Sequence, residues 1–415
     1  MKKKVRVAVV GGGASGLAAA VTASGRFGRG SVAVIEKQAK TGRKLLATGN
    51  GRCNIGNRNL SRRNYHGDKK IIDSVLSGFD TDKAISFFSS LGLLIREDSE
   101  GRLYPYSNKA STVLDCLRYR LMQNGAEEIC DFHINSIHKE NDTFIISSDD
   151  NDIIFANNII FASGSAASPS LGADTSGYSL LKKAGLKPAP LFPSLSPVPC
   201  SEKFKALKGV RARGTVSLFA DNKKIAEKKG EIQFSDKGLS GICVFDLSRY
   251  VNEFFALGSV SGRECKKLSL SVDLMPETDR DEVFAYLKKC RRIFGGESSE
   301  LILSFAFDKK LAGVIAARAG LKGRICSSLN DQQLRMLADE IKELRFTPEC
   351  LSGFETSQVS AGGYDSKTVD PETLMCRKIK NLYICGELLD ADGDCGGYNL
   401  HFAFGSGIRA AEHIK

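Results

Sequence analysis

No C-x-x-C pair occurs among the twelve cysteines, no stretch comes near the ~18 consecutive apolar residues of a membrane-spanning helix, and histidine is scarce, with five in the chain. Each shortage removes a class of protein. Cysteines scattered through a long chain without a secretory leader do not form a disulfide framework, so they read as reduced thiols that fill the core. Nothing in their spacing suggests a metal site. The opening MKKKVRVAVVGGG begins like a leader, but its short apolar run ends in glycines rather than at an A-x-A cleavage site. The expectation is a soluble, cytoplasmic protein with no membrane partner. There is neither an internal repeat nor a low-complexity tract. Proline is sparse, ten in all, and five of the ten crowd into KPAPLFPSLSPVP, Lys187–Pro199.

At 415 residues the chain exceeds one ordinary core. Its 41 glycines invite a search for glycine-built turns, and its charge of +11 favours anionic partners without bearing on fold. One segment, Lys203 to Lys237, holds ten Lys or Arg against four acids. The apolar run Val5–Val10 meets GGGASG, then the helix-forming LAAAVTA, then a second buried run, Ser31–Glu36, which together make a strand, turn, helix, strand unit with parallel pairing. TFIISS and DIIFA flank a turn as a hairpin, and NNIIFASGS is a strand running into glycine. Proline at the density of Lys187–Pro199 continues neither helix nor central strand, so a domain crossing is placed there. Beyond it, RGTVSLFADNKKIAEKKGEIQF and LSLSVDL alternate apolar and polar residues, and Leu334, Leu337, Ile341 and Leu344 share a helical face. The end of the chain returns to the opening style. The expected domains are 1–190, a first half; 191–276, a β-barrel; 277–346, a helical module; and 347–415, the second half of the first domain.

Gly11, Gly13 and Gly16 form G-x-G-x-x-G between a strand and a helix, the arrangement that brings a backbone up to a pyrophosphate. Glu36, 20 residues beyond Gly16 and at the end of the second strand, suits ribose hydroxyls and disfavours a 2′-phosphate. The stretch KTGRKLLATGNGRCNIGN, Lys40–Asn57, has neither strand alternation nor a helical stripe. Its glycines and the cations Arg43, Lys44 and Arg52 suit a loop laid along FAD, which needs more grip than NAD does. CGELLDADGDCGGYNLHFAFGSG, Cys385–Gly407, would place a Gly-Glu carboxylate near the ribityl chain and aim a helix amino end at the flavin.

GRKLLATGNGRCNIGN, GRLYPYSNKASTVLDCL, IIFASGSAASPSLGADTSGYSLLKKAGL, GEIQFSDKGLSGICVFDLSR and GELLDADGDCGGYNLHFAFGSG, in that order, resemble the BaiN-type flavoprotein family, which is also described as aminoacetone-oxidase-like. The resemblance runs almost end to end. It implies an α/β fold: a discontinuous Rossmann-like FAD-binding domain of the second glutathione-reductase type, with an inserted β-barrel and a small helical module. It also implies FAD contacts at Gly11, Gly13, Ala14, Ser15, Gly16, Glu36, Lys37, Arg43 and Lys44. Further contacts are implied at Asn50, Gly51, Arg52, Cys53 and Asn54, at the backbone near Ile134, and at Ala162, Ser163 and Gly164. The last group is Gly386, Glu387, Asp390, Gly396, Gly397, Tyr398, Asn399 and Leu400. The sequence departs from the family pattern at Ser163 (threonine elsewhere), at Asp236 and Leu186 (histidine in many members) and at Tyr364 (a smaller residue elsewhere).

No side chain is assigned a catalytic role from sequence. His401, one turn into the helix expected to face the flavin, is the candidate for proton transfer, against a packing role. Cys53 has no neighbouring cysteine to form a disulfide, so packing outweighs a redox role, and flavin chemistry can proceed without a protein acid or base. The function expected is an FAD-dependent oxidoreductase on a small-molecule substrate, with NAD(P)H as transient electron donor to a reductase. The alternatives are an amine oxidase using dioxygen, an RNA-modifying flavoprotein and a flavin sensor. Sparse aromatic residues in Lys203–Lys237 argue against a nucleic-acid partner, and oligomeric state is left open.

Overall fold

The computed structural model describes the whole chain, Met1–Lys415. Two compact units emerge, Met1–Phe192 with Gln358–Lys415, and Pro193–Ser357. The boundary between Phe192 and Pro193 falls inside the proline-rich stretch.

The first unit is built on a seven-stranded mixed sheet. β1 (Lys2–Val10) is followed by α1 (Ala14–Phe27), β2 (Val32–Ile35) and α2 (Arg43–Gly51). β1 pairs in parallel with β2 on one side and with the strand Ile153–Phe161 on the other. Val7, Ala8 and Val9 are fully buried, as expected where helices and connections cover both faces of a parallel sheet. Thr143–Ser148 pairs antiparallel to the first half of Ile153–Phe161, so the expected hairpin and the strand after it are one continuous element. Leu382–Ile384, from the far end of the sequence, also pairs in parallel with Ile153–Phe161. The C-terminal helix, Tyr398–Glu412, then lies on α1. A Cβ at Gly407 would stand 2.1 Å from Ser15 O, so only glycine permits this approach.

The second unit holds the expected inserted sheet as an open half-barrel together with the expected helices. Its sheet has six strands in an open path, Val198–Pro199, Gly238–Ser240, Lys223–Phe234, Arg211–Ala220, Leu268–Asp273 and Leu344–Phe346. The helices share one hydrophobic core with this sheet, Leu334, Leu337 and Ile341 packing in the same cluster as Leu218 and Leu270. The first unit resumes at Gln358 rather than at 347, because Leu344–Phe346 is itself a sheet strand and Glu349 N donates to Pro199 O at 3.0 Å. No helix in the protein is long and apolar enough to cross a membrane.

Candidate functional site

At the end of β1 the chain turns through glycines whose donors are divided between the protein and open space. Gly11 N donates to Ile35 O at 2.8 Å, and Gly12 N donates to Glu36 Oε2 at 2.8 Å. Gln38 N donates to Glu36 Oε1 at 2.9 Å, so the carboxylate is fixed at the tip of β2. Leu17 N, donating to Gly13 O at 2.9 Å, makes the first bond of α1. The N–H groups before it have no acceptor within the helix, and no side chain caps Gly13. A Cβ on Gly16 would lie 1.9 Å from Gly11 O, whereas one on Gly13 would meet nothing within 4 Å. One glycine therefore serves packing, and the other leaves the helix end open to an incoming group.

α2 starts against this turn, with Gly42 N donating to Gly12 O at 2.8 Å. The segment expected to be a loop winds as a helix from Arg43 and then breaks: Thr48 is extended, with ψ 145°, and Gly49 and Asn50 are left-handed. Asn50 and Cys53 hold positive φ, 56° and 57°, without being glycine, a conformation that only surrounding structure sustains. Lys44 Nζ meets Glu387 Oε2 at 2.8 Å, and Ser360 N donates to Glu387 Oε1 at 2.8 Å. This carboxylate therefore clamps α2 to two C-terminal segments. Arg43 donates to Gln38 Oε1 and Ser170 O, both at 3.0 Å, and the Arg52 guanidinium lies 4.8 Å from the Tyr104 ring centre.

The C-terminal motif closes on the same region. Asn57 Nδ2 donates to Gly396 O at 3.0 Å, Tyr65 OH donates to Tyr398 O at 2.9 Å, and the Asn399 amide holds Gly393 N and O at 2.8 and 2.7 Å. Gly397 begins the C-terminal helix with no side-chain cap, and a Cβ on it would stand 2.5 Å from Asn54 Oδ1. Asn54 Oδ1 is buried and has no hydrogen-bond partner, and neither has Ser163 Oγ, in the loop after Ile153–Phe161. Buried polar atoms are rarely left unmatched, so these two call for a ligand or water.

These features fit FAD. α1, α2 and the C-terminal helix start at glycines without side-chain caps, whereas helices starting at Lys69, Thr81, Arg280, Lys309 and Asp331 are capped by Asp or Asn. Free N–H groups at Ala14 and Ser15 suit a diphosphate, Glu36 suits a ribose, and Asn54 and Ser163 offer unmatched polar atoms further along. Other expected positions take supporting roles. Lys37 is paired with Asp174; Asp390 N donates to Tyr364 O at 2.9 Å; Leu400 packs against the core. Ile134 begins the outermost strand of the sheet, while Ile129 and Phe132 are the residues bonded to Glu36.

His401 is not where a proton carrier would be useful. It is fully buried, with Nε2 donating to Phe79 O at 2.7 Å and Nδ1 unpartnered. Burial pushes its pKa below the ordinary 6.5. The sign follows: the unfolded chain binds the proton more readily, so His401 costs the fold nothing above pH 6.5 and destabilises it as pH falls below that value. His401→Gln is expected to flatten the loss of melting temperature between about pH 7 and 5.5 while leaving the pH profile of turnover unchanged. A shifted turnover profile would restore the catalytic assignment.

Cys53 and Cys385 are likewise withdrawn from chemistry, their thiols pushed up to about 12 by burial, and all twelve cysteines are free. Tyr364, the departure from the family pattern, is fully buried, stacks on Tyr178 at 5.6 Å, and leaves its OH without a partner. It fills core rather than facing a cleft. What sequence reasoning missed is His66. The strand Tyr65–Gly67 pairs with Ala391–Gly393, and His66 Nε2 stands 3.3 Å from Asp394 Oδ1, three residues before the start of the C-terminal helix at Gly397. The only sequence signal was the acidic run DADGD.

The profile described as HI0933-like protein Rossmann domain matches residues 5–413. The chain belongs to the HI0933-like family. Its curated relatives match along their whole lengths. A 3-dehydro-bile acid delta(4,6)-reductase from Clostridium scindens is 34% identical over 412 residues, covering 98% of each chain. A ribosomal RNA dihydrouridine synthase from Haemophilus influenzae is 25% identical, covering 98% of each chain. Its counterpart from Escherichia coli is also 25% identical, covering 98% of this chain and 97% of that one. This HI0933-like protein is an FAD-dependent oxidoreductase of Rossmann-like α/β fold.

Proposed function

We propose that this protein is an NAD(P)H-driven reductase that saturates a carbon–carbon double bond conjugated to a carbonyl. The observation that carries the reading is the full-length match to two kinds of relative. One is named for reducing a 3-dehydro steroid acid at its Δ4,6 unsaturation, the other for making dihydrouridine, which is uridine hydrogenated at a ring double bond. Both substrates place a carbonyl where it can accept the charge that follows hydride addition. Bound FAD supplies that hydride chemistry. The protein's part is to hold the cofactor through the open amino ends, to fix Glu36 and Glu387, and to provide a proton for the second carbon. Cys53 and Cys385 hold their protons too tightly and His401 is locked to Phe79 O. His66, partly exposed and oriented by Asp394, is the group of suitable chemistry.

The test is an anaerobic visible spectrum before and after NADPH, followed by a conjugated enone. Bleaching by NADPH and recovery on adding the enone is expected. A flavin that NADPH leaves oxidised, but that an amine bleaches with later peroxide release, would establish the oxidase instead.

A second reading places the double bond in an RNA base. Two relatives named as ribosomal RNA dihydrouridine synthases, each aligned end to end, favour it, as does the net charge of +11. Dihydrouridine in total RNA from cells with and without the gene distinguishes this reading from a free small-molecule substrate.

A further inference from the structure

The basic stretch prominent in the sequence is largely neutralised in the fold. Of the ten cations in Lys203–Lys237, six face acids: Lys203 meets Glu349, Lys208 Asp236, Arg211 Glu231, Lys224 Glu227, Lys228 Asp246 and Lys229 Glu277. In the helical part of the second unit, beside paired cations such as Arg280, Arg291 and Arg318, one set stays unmatched. Arg292, Lys309, Lys310, Lys322 and Arg324 are exposed, and none has a carboxylate within ion-pairing distance.

Exposed apolar side chains lie close to these cations in the sequence. Ile293 and Phe305 are each 55% exposed and Ile325 45%. They belong to one locality: the Phe294 and Phe305 rings lie 5.0 Å apart, Ser298 bridges Ile325, and Ser299 N donates to Arg324 O at 2.9 Å. Lys309 and Lys310 occupy the first turn of the helix Lys309–Arg318, where cations oppose the helix dipole. Asp308 caps this helix end, so the charge available to phosphate oxygens is that of the exposed lysine side chains themselves.

We propose that this face, residues 292–325, docks a single-stranded segment of RNA. The proposal rests on the reading that the reduced base lies in RNA, and it adds the surface that holds the strand. Unpaired cations and an exposed aromatic ring are what a single strand requires: phosphodiesters meet Lys and Arg, and an unstacked base lies on Phe305. A membrane is the poorer occupant, because the apolar residues come from three short segments rather than one continuous apolar helix face.

The experiment uses the full-length, flavin-loaded protein and a fluorescein-labelled, uridine-rich RNA of about 16 nucleotides, followed by anisotropy from about 50 to 200 mM KCl. Reversing Lys309 and Lys310 to Glu is expected to weaken binding at least tenfold and to reduce the salt slope by roughly 1.4, about 0.7 for each lost phosphate contact on a single strand. Phe305→Ala is expected to weaken single-strand binding severalfold and duplex binding little. Lys208→Glu with Lys224→Glu, on the self-paired segment, should bind as the parent does. Absence of RNA binding in the parent, or equal losses in both charge-reversed proteins, would overturn the proposal. So would sedimentation with anionic vesicles that only the Lys309/Lys310 variant loses while its RNA binding persists. Dihydrouridine in total RNA from cells with and without the gene is compared alongside: a gene-dependent loss without RNA binding at this face removes the docking face alone, and RNA binding with dihydrouridine unchanged removes the RNA-base reading alone.

Discussion

Gly13→Ala is expected to fold as the parent does and to come through purification nearly free of flavin. A Cβ at this position meets no protein atom within 4 Å, and φ there is −82°, which alanine adopts readily. The cost to the fold is the modest one of alanine at a helix cap, under about 1 kcal/mol. The cost to the cofactor is larger, because the added methyl occupies the approach to the open N–H groups of α1. A tenfold or greater loss of FAD affinity, about 1.4 kcal/mol or more, should appear in a titration of apoprotein. Gly16→Ala gives the opposite pattern. Its Cβ would sit 1.9 Å from Gly11 O, a backbone atom that no rotamer change moves aside. Overpacking of this kind costs roughly 1–3 kcal/mol even though alanine is the better helix former, so the fold itself loses stability. Equal flavin content in Gly13→Ala and the parent would show that the diphosphate does not lie at this helix end.

The second large effect is expected at Glu387. Its two oxygens accept from Lys44 Nζ and Ser360 N, each at 2.8 Å, and both ion-pair side chains are partly shielded from solvent. Glu387→Ala strands a cation and a backbone N–H together, at a cost of about 1–3 kcal/mol. Because the clamp joins α2 to the C-terminal motif, flavin should dissociate faster as well as the melting temperature falling. Glu387→Gln keeps an acceptor for Ser360 N while removing the charge, so it should recover part of the stability. Differential scanning fluorimetry with a parallel measure of flavin release separates the two consequences. Unchanged release from Glu387→Ala would confine the residue to packing.

The two variants differ in how visible they were beforehand. The strand, glycine turn, helix and second strand occupy Lys2–Ile35 without a break, and each step is a local matter of apolar runs, turn residues and helix formers. Gly13, Gly16 and Glu36 could therefore be read directly. The segment Arg43–Gly51 was harder: its residues lack an apolar stripe, and it winds as a helix because Gly42 is anchored on Gly12 O and Leu45 is buried. Contacts between distant residues left almost no local trace. Lys44 and Glu387 are 343 positions apart, His66 and Asp394 328, and His401 and Phe79 322.

By itself the sequence determined the nucleotide-binding unit, the cofactor class through its resemblance, and the proline-rich stretch within which the chain leaves the first unit, because turn chemistry and hydrophobic period act over a few residues. Tertiary structure decided which charged and polar groups are free to act. It turned His401 into the core, set His66 against Asp394, matched most cations of Lys203–Lys237 with acids and left Arg292, Lys309, Lys310, Lys322 and Arg324 unmatched. Burial and pairing depend on sheet order and helix docking, and those follow from the packing of the whole chain.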